Sequence, residues 1–257
     1  MNDKMNVPDI SILQAHMYYK NKKIFDNLSL SLPSGQWTCL LGTSGVGKST
    51  LLKMIAGLFS KDRDIESPPE ECYGDIKTSD NIPITGRVSY MAQDDLLMPW
   101  NSALENVLLG CKLRGKKTPS DIKKATELLK LVELEDSILL KPSQMSGGMR
   151  QRVALARTMM ESKPIILMDE PFSALDVLTR FKLRNLAVKL LKDCTVFLVT
   201  HDPMEAICLG DSIKIMSGSP AQIIDLDGLP DTPTPRDVES KEVISLYSKI
   251  IKQMTSI

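Results

Sequence analysis

Residues 42–49 read Gly-Thr-Ser-Gly-Val-Gly-Lys-Ser and match G-x-x-x-x-G-K-S/T in full. The pattern constrains the fold because it works only where a strand hands over to a helix. Both flanks are present. Residues 37–41 form an apolar run ending at Gly42, and Leu51, Leu52 and Ile55 then fall at helical spacing before Gly57, a natural helix stop. Glycines are needed because backbone N–H groups must turn inward around phosphate oxygens, while the helix N-terminus adds positive dipole at the same place. The predicted cradle is Gly42, Thr43, Ser44, Gly45, Val46, Gly47, Lys48, Ser49 and Thr50. Lys48 supplies a point charge, and the Ser49 hydroxyl is placed for Mg²⁺.

Two further apolar runs, residues 165–168 and 195–200, lack polar alternation, as strands buried on both faces of a parallel sheet do. Open α/β sheets collect ligands at the carboxyl ends of their strands. Asp169 and Glu170 follow one run and His201 follows the other, so the loop, two carboxylates and an imidazole are predicted to converge on one crevice. Asp169 would steady Mg²⁺, and Glu170 is left to orient or deprotonate a water. The predicted fold is α/β: a phosphate-loop core with a mostly parallel sheet, an N-terminal antiparallel β-subdomain in residues 11–32, and a helical subdomain. We divide one domain, 1–257, into the core with its β-subdomain (about 11–92 and 160–218), the helical subdomain (about 93–159), and a C-terminal tail and helix (219–257). Residues 96–140 read as helical with a loop near 114–120, residues 60–86 as loops with one or two weak strands, and residues 238–254 as an amphipathic helix.

Composition narrows the partners. Lys and Arg total 32, as do Asp and Glu, so there is no overall basic field to draw nucleic acid. The five cysteines are scattered without metal-ligand spacing, which suits a reduced, cytosolic setting. No basic start with an apolar segment after it marks a secretory signal, and no run approaches the roughly 18 to 20 apolar residues of a spanning helix. Any membrane role is expected to be borrowed from a partner.

A second Gly-bearing motif carries a family resemblance. Residues 145–157, MSGGMRQRVALAR, resemble the ABC signature LSGGQ with its basic helix, just ahead of the strand that ends at Asp169. Gln93 resembles the Q-loop, residues 173–176 (SALD) the D-loop, and His201 the switch histidine, in the family's order. Tyr19 resembles the aromatic that stacks on adenine, with Tyr18 as the neighbouring alternative. The resemblance implies an ATPase that takes ATP and Mg²⁺ and works as a homodimer. Ser146, Gly147 and Gly148 would act in trans on ATP held by the other copy, with Asp176 beside them. It further implies Glu170, His201 and Lys48 as catalytic, and Ser49, Gln93 and Asp169 around the metal. Met145 and Met149 depart from the family's Leu and Gln, and the second departure removes a polar side chain.

Residues 93–110, QDDLLMPWNSALENVLLG, are similar to a segment of importers for nitrate, sulfonates, taurine and the hydroxymethylpyrimidine precursor of thiamine, and the whole looks closest to the last. That resemblance implies transmembrane permease subunits, a solute-binding protein, no nucleic acid, and a peripheral place on the cytoplasmic face of the inner membrane. The alternatives are the ATPase of a separate-chain exporter and a soluble mechanoenzyme. Leu96, Leu97, Met98 and Trp100 are expected either to dock a permease or to pack in the core.

Overall fold

The computed structural model describes residues 6–19, 22–59, 71–115 and 117–255. Among these described residues, nine strands form one sheet in the order β4-β1-β2-β9-β8-β3-β7-β6-β5. They are β1 (Ile10–Tyr19), β2 (Lys22–Leu32), β3 (Trp37–Gly42), β4 (Glu71–Thr78), β5 (Val88–Met91), β6 (Ile165–Asp169), β7 (Thr195–Val199), β8 (Ser212–Gly218) and β9 (Ala221–Asp225). Parallel pairing joins β8-β3-β7-β6-β5, and β4-β1-β2 pair antiparallel. The antiparallel strands thus extend the same sheet, joined to the rest by β9, which is parallel to β2 and antiparallel to β8.

The uninterrupted apolar runs are explained by burial on both faces. Along β3, β6 and β7, Cys39, Leu41, Ile166, Met168, Val196 and Leu198 enter one core, while Leu40, Ile165, Leu167, Phe197 and Val199 enter the other. The second core is closed by α1 (Lys48–Ile55), through Leu51, Leu52, Met54 and Ile55. The first is closed by α2 (Ala103–Val107), α3 (Leu109–Leu113), α4 (Pro119–Leu131), α5 (Gly147–Met160), α6 (Val177–Leu190), α7 (Pro203–Leu209) and α8 (Lys241–Thr255). Helices α2 to α5 all lie between β5 and β6 in sequence, and α5 packs on both α2 and α4. Among the described residues, no helix is long and apolar enough to cross a membrane.

Three expectations change. Residues 96–102 are an ordered loop and not the start of a helix: helix begins at Ala103, where Ser102 and Glu105 form a capping box. The buried Asn106 takes the Met98 N–H and donates to the carbonyls of Met98, Asn101 and Ser102, so the loop's polar backbone is satisfied without helix. Of the segment read as loops with weak strands, residues 60–70 lie outside the described residues, and β4 is a full strand paired with β1. The last helix starts at Lys241, three residues later than its apolar pattern, where the Ser240 hydroxyl accepts the Val243 N–H.

Candidate nucleotide site

The phosphate loop leaves β3 at Gly42, where a Cβ would sit 2.5 Å from the Met216 carbonyl oxygen, so only glycine lets the loop turn against β8. Gly47 closes the turn at φ 115° as the N-cap of α1, and it offers no side chain to the helix. The first N–H groups of α1 are therefore left to an external acceptor, and an anion suits them. Lys48 is buried, and its Nζ donates to the carbonyls of Gly42 (2.8 Å) and Thr43 (3.0 Å) of its own loop. Burial lowers its pKa, opposed by the charges of Glu170 and Asp169. A cavity of about 250 Å³ beside the loop is walled by residues 42–46, residues 215–218 and Met254 of α8.

The three strands beyond β3 deliver the remaining groups. In the sheet order β3-β7-β6-β5, His201 lies just beyond β7, Asp169 and Glu170 at the end of β6, and Gln93 just beyond β5. The Glu170 carboxylate is held from both sides: Oε1 is 3.0 Å from His201 Nδ1, and Gln93 Nε2 donates to Oε2 at 3.4 Å. Glu170 also carries φ 47°, a left-handed conformation that strains a non-glycine residue and often marks a functional position. Its backbone is braced accordingly. Glu170 N–H donates to the Val199 carbonyl, and the Ser173 hydroxyl and Gln151 Nε2 donate to the Glu170 carbonyl.

Asp169 is almost wholly buried, and its Oδ1 has no hydrogen-bond partner. Burial raises its pKa, while the Ser49 hydroxyl and the charges of Lys53 and Lys48 lower it. A buried carboxylate oxygen without a donor is the kind of group that a cation satisfies. Among the described residues no set of three or more His, Cys, Asp or Glu forms a metal cage of its own. A cation here would draw further ligands from phosphate and water, which is how Mg²⁺ is commonly held.

The other predicted residues lie in two places. Tyr19 ends β1 and pairs with Lys22 of β2, the strand whose Ile24 approaches Gly47 of the loop. Tyr18 carries Lys23 over its ring at 5.5 Å. Ser146 caps α5 by accepting the Met149 N–H, with Gly147 and Gly148 in the first turn. Neither Ser146 nor the two glycines belong to the walls of the cavity beside the loop. Gly148 instead faces the Ala174 carbonyl, and Asp176 caps α6.

A family model described as "ABC transporter" matches residues 25–173, more than half of the chain. The chain belongs to the ABC transporter family. An uncharacterised ABC transporter ATP-binding protein of Haemophilus influenzae is 35% identical over 95% of this chain and 98% of its own. Aliphatic sulfonates import ATP-binding protein SsuB 1 of Paracoccus denitrificans is 31% identical over 96% and 94%. Among solved structures, the dimeric ATP-binding cassette MJ0796 in a post-hydrolysis state with ADP and Pi superposes with a TM-score of 0.71 at 31% identity, over 85% of this chain and 99% of that one. The chain is an ABC ATPase with the cassette fold.

In this ABC ATPase, Met145 is buried and Met149 packs against the main core, so the position expected to lose a polar contact has gained an apolar one. Sequence reasoning missed Gln151, a buried amide that donates to the carbonyls of Glu170 and Pro171. It also missed Arg184, Asp202 and Glu205, which form one ion-pair network behind His201. A signal for Gln151 existed: a polar residue on the apolar face of α5. Nothing in the order of residues pairs Arg184 with Asp202.

Proposed function

We propose that this ABC ATPase is the ATP-hydrolysing subunit of an importer, pairing with a second copy of itself and with permease subunits at the cytoplasmic face of the membrane. The observation that carries the reading is the Glu170 carboxylate, gripped by His201 and Gln93 at the ends of neighbouring strands, one strand from the phosphate loop. Glu170 takes the proton of the attacking water, His201 and Gln93 orient the carboxylate, and Lys48 and the α1 N-terminus hold phosphate oxygens. Mg²⁺ supplies charge neutralisation at the phosphates when bound, with Ser49, Asp169 and Gln93 around it. Tyr19 offers a ring to adenine. Ser146, Gly147 and Gly148 present the dipole of α5 to ATP held by the partner, consistent with their place away from this copy's loop cavity.

Self-association tests the shared site. Glu170→Gln protein sediments as a dimer with ATP and as a monomer without it, and Ser146→Arg, which puts a bulky cation at the N-terminus of α5, abolishes the dimer. A monomer at every nucleotide and protein concentration overturns the arrangement.

For cargo, the likeness to a sulfonate importer subunit supports aliphatic sulfonates, with hydroxymethylpyrimidine as the competing solute. Loss of labelled sulfonate uptake on deleting the chain, with competition by other sulfonates and not by the pyrimidine, supports this cargo. Copurification with an exporter's membrane subunit overturns the direction of transport. The docking surface is the ordered loop after Gln93. Trp100 is 69% exposed and Leu96 59%, so the alternative of core packing fails for both, while Leu97 is buried. The loop is tied down: Arg157 donates to the carbonyls of Asp95 and Leu96, and Arg150 pairs with the Asp95 carboxylate at 2.8 Å. Trp100→Ala lowers copurification with the permease by about tenfold, the 1–2 kcal/mol of an interface anchor, with ATP binding by the isolated subunit unchanged. Unchanged assembly and transport place docking elsewhere.

A further inference from the structure

Arg184 sits on the inner face of α6, and its charge is spent entirely within the protein. Nη2 donates to Asp202 Oδ2 at 2.8 Å and Nε to Glu205 Oε1 at 2.9 Å. Glu205 is only 3% exposed, and burial raises its pKa against the lowering effect of Arg184 and the Thr200 hydroxyl. A buried carboxylate of this kind keeps its charge only while its cation stays in place. The two carboxylates follow His201 in sequence and also hold its loop. The Asp202 N–H donates to Thr200 Oγ1, Asp202 Oδ1 caps α7 through the Met204 N–H, and Thr200 in turn bonds to Glu205. The side-chain ties that Asp202 and Glu205 make to residues 200–202 thus converge on one guanidinium.

The N-terminal end of α6 is tied as firmly. Arg180, one turn before Arg184, donates to the Leu175 carbonyl at 2.9 Å, and Asp176 caps the helix through the Thr179 N–H. Ser173 donates to the Glu170 carbonyl, closing a circuit from Glu170 through residues 173–176 and α6 to the loop of His201. A small cavity, about 50 Å³, lies inside this circuit, with Glu170, Ser173, Arg180, Arg184 and His201 among its walls.

We propose that Arg184 is a positioning residue for hydrolysis: by bridging Asp202 and Glu205 it fixes the loop that holds His201 against Glu170, and it joins that loop to α6 behind residues 173–176. The inference rests on the proposed roles of Glu170 and His201. An imidazole 57% exposed has little packing of its own to keep it 3.0 Å from the carboxylate, so its geometry depends on the loop beneath it. Displacement of a catalytic contact by about 1 Å costs up to about 100-fold in rate without touching substrate binding.

The test uses the full chain with Arg184→Met, Arg184→Lys and the double variant Arg184→Met/Glu205→Gln, with Glu170→Gln alongside. Arg184→Met lowers kcat by about 10- to 100-fold while KM for ATP stays within about threefold. Arg184→Lys, which keeps the charge, recovers part of kcat. The double variant removes the orphaned carboxylate and regains thermal stability, yet kcat stays low because Asp202 is still untied from α6. The chain has two histidines, so His16→Gln isolates the His201 imidazole resonance, which moves in Arg184→Met. Recovery of kcat together with Tm in the double variant, or an unmoved His201 resonance with normal turnover, reduces Arg184 to a stabilising residue and overturns the proposal. Full turnover by Glu170→Gln overturns the underlying roles as well, whereas an inactive Glu170→Gln beside a fully active Arg184→Met sinks the positioning role alone.

Discussion

Glu170→Gln binds ATP with affinity close to that of the unaltered protein and hydrolyses it about 10²- to 10⁴-fold more slowly, the range general bases contribute. The amide keeps the size of the carboxylate, and the backbone braces from Val199, Ser173 and Gln151 do not involve the side chain, so the left-handed φ at this position survives. What disappears is the acceptor for the water's proton. The proposed phosphate contacts lie elsewhere, on Lys48 and the N-terminus of α1. Nucleotide titration together with phosphate release measures the split between binding and chemistry. Near-normal turnover in this variant moves the base to another group and leaves the strained conformation of Glu170 without a catalytic reason.

The parts of this fold that were legible are those written in local pattern. Unbroken apolar runs marked β3, β6 and β7 because each puts alternate residues into opposite cores, and the strand ends then followed by counting. The phosphate loop was legible because its spacing is itself the structure: Gly42 must pass a carbonyl and Gly47 must turn left-handed. Residues 96–102 misled because apolar composition was read as helix, whereas the cause of their shape is one buried amide, Asn106, whose four backbone contacts have no sequence period. The start of α8 was misplaced for a related reason, since the Ser240 hydroxyl and not the apolar pattern decides where helix begins.

Long-range polar pairing was the least legible. Arg184 and Asp202 are 18 residues apart, and Glu170 meets Gln93 across 77. A surface Arg followed by acidic residues is common, and only burial of Glu205 gives the pairing its weight. The strain at Glu170 is likewise invisible in a letter code that allows Glu in strands, helices and loops alike. Such departures from local rule are common where distant segments meet: Gln93, Glu170 and His201 come together as the strand ends suggested, while the ties that hold them were missed.

Lys48→Ala weakens ATP binding by about 10- to 100-fold, the worth of a charge-assisted hydrogen bond of about 1.5–3 kcal/mol. In the structure the ammonium rests on the carbonyls of Gly42 and Thr43, so it is already poised within the loop, and phosphate oxygens replace weak neutral acceptors with charged ones. Burial has lowered its pKa, in the direction that makes the charged form harder to keep. A bound phosphate favours that charged form. Binding therefore takes up protons wherever Lys48 is partly neutral, and by linkage ATP affinity falls as pH rises through the lowered pKa. The sign is specific: the same titration run on Lys48→Ala shows weak binding at every pH and loses the alkaline decline that belongs to this group. Unchanged affinity in the variant would place the phosphates away from Lys48. An alkaline decline that persists in full would assign it to another group, and measurement of proton uptake by calorimetry in buffers of different ionisation enthalpy decides between them.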